Sequence, residues 1–202
     1  MDNKAFFKLS YGVFMLSTKC GDKVNGCITN TCMQVANSPV RVAISVLNTN
    51  YTCDLIKESG VFALSLLDET TTFETIKHWG FQSGHNVDKL ADLPLPEDVN
   101  GVPYLSWSTC AVLSCKVVDK IDLGSHTMFI GEVVDAVVTG DSTAFYRMCM
   151  KLPETIEKVL SENDSLSAGK DTVLDELMNI DRDIQKALYK LAFNSYDGFN
   201  LC

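Results

Sequence analysis

The sequence predicts a mainly β protein: about six short strands forming a barrel or a sandwich, short helices between them, and an α-helical C-terminal extension. Three observations carry this expectation. Between residues 11 and 138 the apolar segments are short, rich in Val, Ile, Phe and Thr, and separated by Gly, Pro, Asn and Asp. Helical periodicity is scarce in that stretch. Beyond Gly140 the β-type residues fade and apolar residues recur at helical spacing.

Taken in order, residues 11–18 (YGVFMLST) read as the first strand, residues 22–26 hold turn formers, and 26–32 (GCITNTC) suit the next strand of a hairpin. Pro39 precedes 41–47 (RVAISVL), where Val42, Ile44 and Val46 alternate against Ala43, Ser45 and Leu47. Residues 52–58 suit a short helix. Ser59-Gly60 opens another apolar strand at 61–67, and 71–78 reads as a second short helix. Residues 110–118 (CAVLSCKVV) and 128–138 (MFIGEVVDAVV) complete the strands, with Gly131 marking a bulge or a close backbone approach. After Gly140, Pro153 opens a helical segment. Asp171-Thr172 can cap a second, along which Val173, Leu177, Ile180, Ile184, Ala187 and Leu191 recur in alternating steps of four and three. That seam suits packing on the barrel or pairing between chains. Ten acidic and six basic residues from 151 onward make the extension a solvated amphipathic unit. The expected division is 1–146 and 147–202.

Composition narrows the function. The 202 residues carry 17 basic and 26 acidic side chains, a net charge of −9, and a pI near 4.7. This opposes counterion-release binding to phosphate backbones, so nucleic acids and anionic membranes are poor partners. No apolar run approaches the ~20 residues needed to cross a bilayer. The N-terminus carries Asp2 and no apolar segment before a cleavage site, which places the chain in the cytoplasm. The eight cysteines, at 20, 27, 32, 53, 110, 115, 149 and 202, show no CxxC spacing, and His78, His85 and His126 form no HxxxH. They read as small buried thiols, with no metal site expected.

Four polar segments do not suit a plain barrel. In 25–34 (NGCITNTCMQ), Thr29, Asn30 and Thr31 are consecutive and Gln34 follows, which puts donors and acceptors on both faces of a strand. The second, Asn48-Thr49-Asn50-Tyr51-Thr52, precedes a helix, where hydroxyls, amides and free backbone N–H groups can hold a phosphate without lysines. It equally suits an Asx-rich turn that caps a helix. Together these two can hydrogen-bond a flat heteroaromatic head and hold its anionic tail. The third, 79–89 (WGFQSGHNVDK), brackets Phe81, Gln82 and Ser83 between Gly80 and Gly84 as a tight loop. In the fourth, Gly124-Ser125-His126-Thr127, a titratable ring enters a strand, either as a structural histidine or as a proton or hydrogen-bond donor to a bound ligand.

In this order, NGCITNTCMQV, SPVRVAISV, NTNYTCDLIKESGVFALSLL, WGFQSGHNVDKL, GVPYL and GSHTMFIGEVVDA resemble the flavin-reductase-like FMN-binding split-barrel family. They are nearest to the branch fused to a C-terminal rubredoxin, and the likeness covers about residues 3–146. It implies a homodimeric, six-stranded, Greek-key-like split barrel. FMN would be held non-covalently at the dimer interface and reduced by NADH or NADPH. The alternative within the family is a flavoredoxin-like electron carrier with little direct NAD(P)H activity. The resemblance places the isoalloxazine against Thr29, Asn30, Thr31, Cys32 and Gln34. It assigns ribityl and phosphate to Val46, Asn48, Asn50, Tyr51 and Thr52, and a closing loop to Phe81, Ser83 and Gly84. His126 falls near the nicotinamide as the catalytic candidate, a binding or protonation aid.

Two departures stand out. The family loop reads FQSGR, whereas His85 stands here at the arginine position, exchanging a fixed charge for a titratable one. No CxxC follows residue 150, so any one-electron acceptor is expected to be a separate protein.

Overall fold

The structure, a computed structural model, describes residues 11–140 together with Ala5 and Leu9. The expected helical extension, its boundary near 146, and Cys149 and Cys202 lie outside the described residues. The described chain runs β1 (Phe14–Cys20), β2 (Lys23–Thr29), β3 (Cys32–Asn37), β4 (Val40–Leu47), α1 (Tyr51–Ser59), β5 (Val61–Leu67), α2 (Phe73–Gly80), β6 (Thr109–Asp122) and β7 (His126–Val138).

All seven strands belong to one sheet, in the order β2-β1-β5-β6-β7-β4-β3, and every pairing is antiparallel. The order itself demands closure. β2 and β3 are the two edges, yet only Asn30 and Thr31 separate them in sequence. From Thr29 to Cys32 the chain reaches at most about 11 Å, whereas the edges of a flat seven-stranded sheet lie roughly 29 Å apart. The sheet therefore curls until its edges approach, which is a split barrel.

Alternation fills the interior. Val42, Ile44 and Val46 of β4 join Leu16, Cys27, Phe62, Leu64, Cys115 and Phe129, with Cys53 and Ile56 of α1. A second cluster holds Val13, Met15, Ile28, Ile76, Trp79 and Leu105, so α2 lies against the opposite face of β1 and β2. Gly26 permits this approach, since a Cβ there would stand 3.1 Å from the Trp79 ring.

The sequence pattern anticipates six strands and the structure has seven. The additional one, β3, is the edge strand, and Met33, Gln34, Val35 and Asn37 are all exposed. A strand that touches the core only at its first residue, Cys32, shows no apolar alternation, and a register shift between Gln34 and Ala36 further blurs the pattern. The second strand ends at Thr29 rather than 32, so Cys27 and Cys32 occupy different strands.

The buried thiols behave as hydrophobes. Desolvation pushes the Cys32 thiol up to about 12 and raises those of Cys53 and Cys115. Because these values are raised on folding, the stabilisation is complete below the unfolded value near 9.0 and is lost as pH climbs from there toward 12. The expected outcome is that a thiol reagent at neutral pH labels Cys53 and Cys115 only after denaturant is added. The urea midpoint should also fall between pH 9 and pH 11 by less in Cys32→Ala than in the unaltered protein.

Candidate functional site

The first polar segment forms the junction between the sheet edges. Thr29 and Thr31 share a hydrogen bond between their hydroxyls at 3.1 Å. The Thr31 hydroxyl also donates to the Ser45 carbonyl at 2.7 Å and accepts from the Ser45 N–H at 3.2 Å. Thr31 thus fastens the β2–β3 connection onto β4, where a strand pairing would otherwise stand. Asn30 is buried, and its Oδ1 accepts no hydrogen bond from any described residue. A buried, unsatisfied amide oxygen costs about 1–3 kcal/mol, so its presence calls for a donor from outside the described chain.

The second segment begins α1. Asn50 caps the helix, its Oδ1 accepting from the Thr52 N–H at 2.9 Å, and Gly60 closes the other end at φ 71°. Asn25 of β2, 1% exposed, donates from Nδ2 to the Thr52 hydroxyl at 2.9 Å. Gly84 lies directly on the Asn25 amide, so close that any Cβ would collide with it. Beside it the His85 and Tyr51 rings meet at a tilt of 45°, centroids 4.6 Å apart. The second and third polar segments, some thirty residues apart in sequence, are therefore one locus at the start of α1.

Asn48 extends this locus to the fourth segment. Its Nδ2 donates to the Gly124 carbonyl at 2.8 Å, and its Oδ1 accepts from the Thr127 hydroxyl at 2.6 Å and from Lys57 Nζ at 3.2 Å. His126 pairs with Leu47 across β4 and β7, and its Nδ1 shares a hydrogen bond of 2.8 Å with the Ser125 hydroxyl. Thr31, Ser45, Asn48 and Thr52 thus mark a strip along β4 to the head of α1, with His126 alongside.

Not every expected residue joins this strip. Val46 is a buried core side chain, and Cys32 rests against the same core. Gln34 is exposed on β3, its Nε2 donating to the Ala36 carbonyl at 3.2 Å. The Phe81 ring meets Phe73 edge-on at 5.9 Å and rests on the second core. Ser83 accepts from the His85 N–H at 3.2 Å and so shapes the loop from within. Sequence reasoning did not single out Asn25, Thr127 or Lys89. Lys89 is 1% exposed, an exposure at which lysines are rarely found. All three lie within the recognised polar segments, but nothing in the sequence distinguishes Lys89 from a surface lysine.

A curled, seven-stranded antiparallel sheet with amides and hydroxyls lining one seam defines a split barrel with a polar site at the seam. Residues 6–150 match the flavin reductase like domain family, and the chain belongs to that family. It is 36% identical over 142 residues to the ferric-chelate reductase (NAD(P)H) of Archaeoglobus fulgidus, a match covering 70% of this chain and 84% of that protein. It is also 36% identical over 138 residues to the high molecular weight rubredoxin of Moorella thermoacetica, covering 68% of this chain and 60% of that one. Among solved structures, the FMN-binding protein of Thermus thermophilus superimposes with a TM-score of 0.61 at 21% identity, covering 66% and 74% of the two chains. No helix among the described residues is long and apolar enough to cross a membrane.

Proposed function

We propose that the protein is an NAD(P)H-dependent flavin oxidoreductase that holds FMN along the strip from the β2–β3 junction to the head of α1. The observation that supports it best is the match of residues 6–150 to the flavin reductase like family. The strip fits the cofactor. Asn30 Oδ1 is a buried acceptor in want of a donor such as a flavin ring N–H. At the head of α1 the Tyr51 N–H and side chain would meet the phosphate, while Thr52, buried and bonded to Asn50 and Asn25, would shape that head from within; the acidic residue of the first turn, Asp54, is exposed. In a chain of net charge −9, anion binding by amides, hydroxyls and a helix start is the physically consistent choice.

Bound there, FMN would supply two-electron chemistry between a nicotinamide donor and an acceptor. The protein's own task is binding and orientation. Asn30, Thr29 and Thr31 would face the polar edge of the ring and Cys32 and Gln34 its surroundings, while Asn48, Asn50, Tyr51 and Thr52 would hold ribityl and phosphate. The Ser83–Gly84 turn would close beside them. His126, oriented by Ser125, would stand on the nicotinamide side as a binding and protonation aid. The exposed Met33, Val35 and Val40 on the β3 side supply apolar surface for a homodimer. We further propose a cytoplasmic location and a separate protein as electron acceptor.

Flavin titration tests the site. Asn30→Ala and Thr52→Ala should each raise the FMN dissociation constant by about five- to tenfold, the loss of one hydrogen bond of roughly 1 kcal/mol. Unchanged FMN affinity in both would remove the cofactor from this strip. His126→Ala should slow NADH oxidation by about tenfold or more while leaving flavin content near that of the unaltered protein. The reverse pattern would reassign His126 to flavin binding.

A further inference from the structure

We propose that Lys89 is a positioning residue for the flavin site, clasping the base of the 81–88 loop so that Gly84 and His85 are presented at the head of α1 before any ligand arrives. The proposal rests on the FMN reading above for its effect on affinity, but not for the clasp itself. Taking an ammonium out of water is costly unless its protons are well bonded. Lys89 Nζ donates to the Trp79 carbonyl at 2.8 Å and to the Gly26 carbonyl at 2.9 Å. The Trp79 carbonyl belongs to the last turn of α2, where unshared carbonyls concentrate partial negative charge and favour a cation. Gly26 adjoins Asn25, whose amide carries Gly84 and the Thr52 hydroxyl.

The backbone of Lys89 is fastened as well. His78 Nε2 donates to the Lys89 carbonyl at 2.8 Å, and within the loop Gln82 Nε2 donates to the His78 carbonyl at 3.0 Å. Both ends of the loop are thus pinned to α2, and one of them to β2. An apolar side chain of equal length could fill the space beneath the loop but could not bond the two carbonyls. The directional bonds fix where the loop begins relative to Asn25. A loop ordered during folding does not need to be ordered again on binding, so the clasp should act on cofactor affinity.

Lys89→Met tests this by two readouts. In hydrogen exchange of the flavin-free protein, amides of 81–88 should exchange about tenfold faster while those of β5 and β7 are unchanged. FMN should bind about tenfold more weakly, and at saturation its visible band should approach that of free FMN, marking an open loop. Unchanged exchange over 81–88, or affinity within about twofold of the unaltered protein, would overturn the proposal. If Lys89→Met does not fold, His78→Ala carries the same test, since it removes the bond to the Lys89 carbonyl, along with an edge contact to the Trp79 ring, and leaves the Lys89 ammonium in place. It should speed exchange over 81–88 and weaken FMN, and no change in either would overturn the clasp. Should the unaltered protein bind no FMN, the flavin reading fails while the exchange measurement still decides the clasp.

Discussion

Gly84→Ala is expected to weaken FMN binding by about tenfold or more, the largest loss foreseen from a single methyl group in this protein. The added Cβ would collide with all three terminal atoms of the Asn25 amide. Asn25 cannot yield easily, because it is 1% exposed and bonded to the Thr52 hydroxyl at 2.9 Å. Either the loop retreats from α1, opening the site, or the amide leaves Thr52 and the head of α1 loses its brace. Both outcomes disturb the surface assigned to the phosphate, and overpacking of this kind also costs about 1–3 kcal/mol of stability. Fluorescence titration with FMN, beside a urea melt, measures the two effects separately. An affinity within about twofold of the unaltered protein would show that the loop does not border the flavin.

The second large effect concerns the barrel. Gly131 lies in β7, paired with Val42 of β4 and Val117 of β6, and its missing side chain is replaced by the Phe62 ring. A Cβ at 131 would stand 2.5 Å from Phe62 Cζ, 2.8 Å from Cε1 and 3.1 Å from the Cys115 Cβ. Phe62 and Cys115 are fully buried and the first is hemmed in by the barrel core, so no rotamer change relieves the contact. Gly131→Val should therefore lower stability by about 3 kcal/mol, read as a reduced urea midpoint. Adding Phe62→Leu to it should recover part of the loss, because the two residues share one volume and their effects are not additive. Strict additivity would place the strain elsewhere.

Most of the fold could be read from the chain because its signals are local. Residues 61–67 read as an apolar run, and the strand spans that same range, Phe62 and Leu64 filling the barrel and Leu67 the second core. Asn50 and Gly60 bracket α1 by capping chemistry that needs no tertiary knowledge. β3 escaped because an exposed edge strand is specified by its neighbour β4 and not by its own pattern. The site follows the same division. Asn50 and Thr52 announce themselves at a helix start, and Thr29 to Thr31 by being polar on consecutive positions. Asn25 and Lys89 matter only because Gly84 and the end of α2 come to rest on β2, an approach set by sheet closure and by the lack of a side chain at Gly26. Phe81, which the resemblance places in the closing loop, rests its ring edge-on to Phe73 and against the second core, a packing that its position between glycines does not announce.

The proposed function is tested most directly by anaerobic titration of the purified protein, reconstituted with FMN, with NADH while the flavin absorbance is followed. Stoichiometric bleaching of the bound flavin, reversed by admitting oxygen, is the result expected of an NAD(P)H-dependent flavin oxidoreductase. Failure to retain FMN, or bleaching by dithionite but by neither NADH nor NADPH, would contradict it.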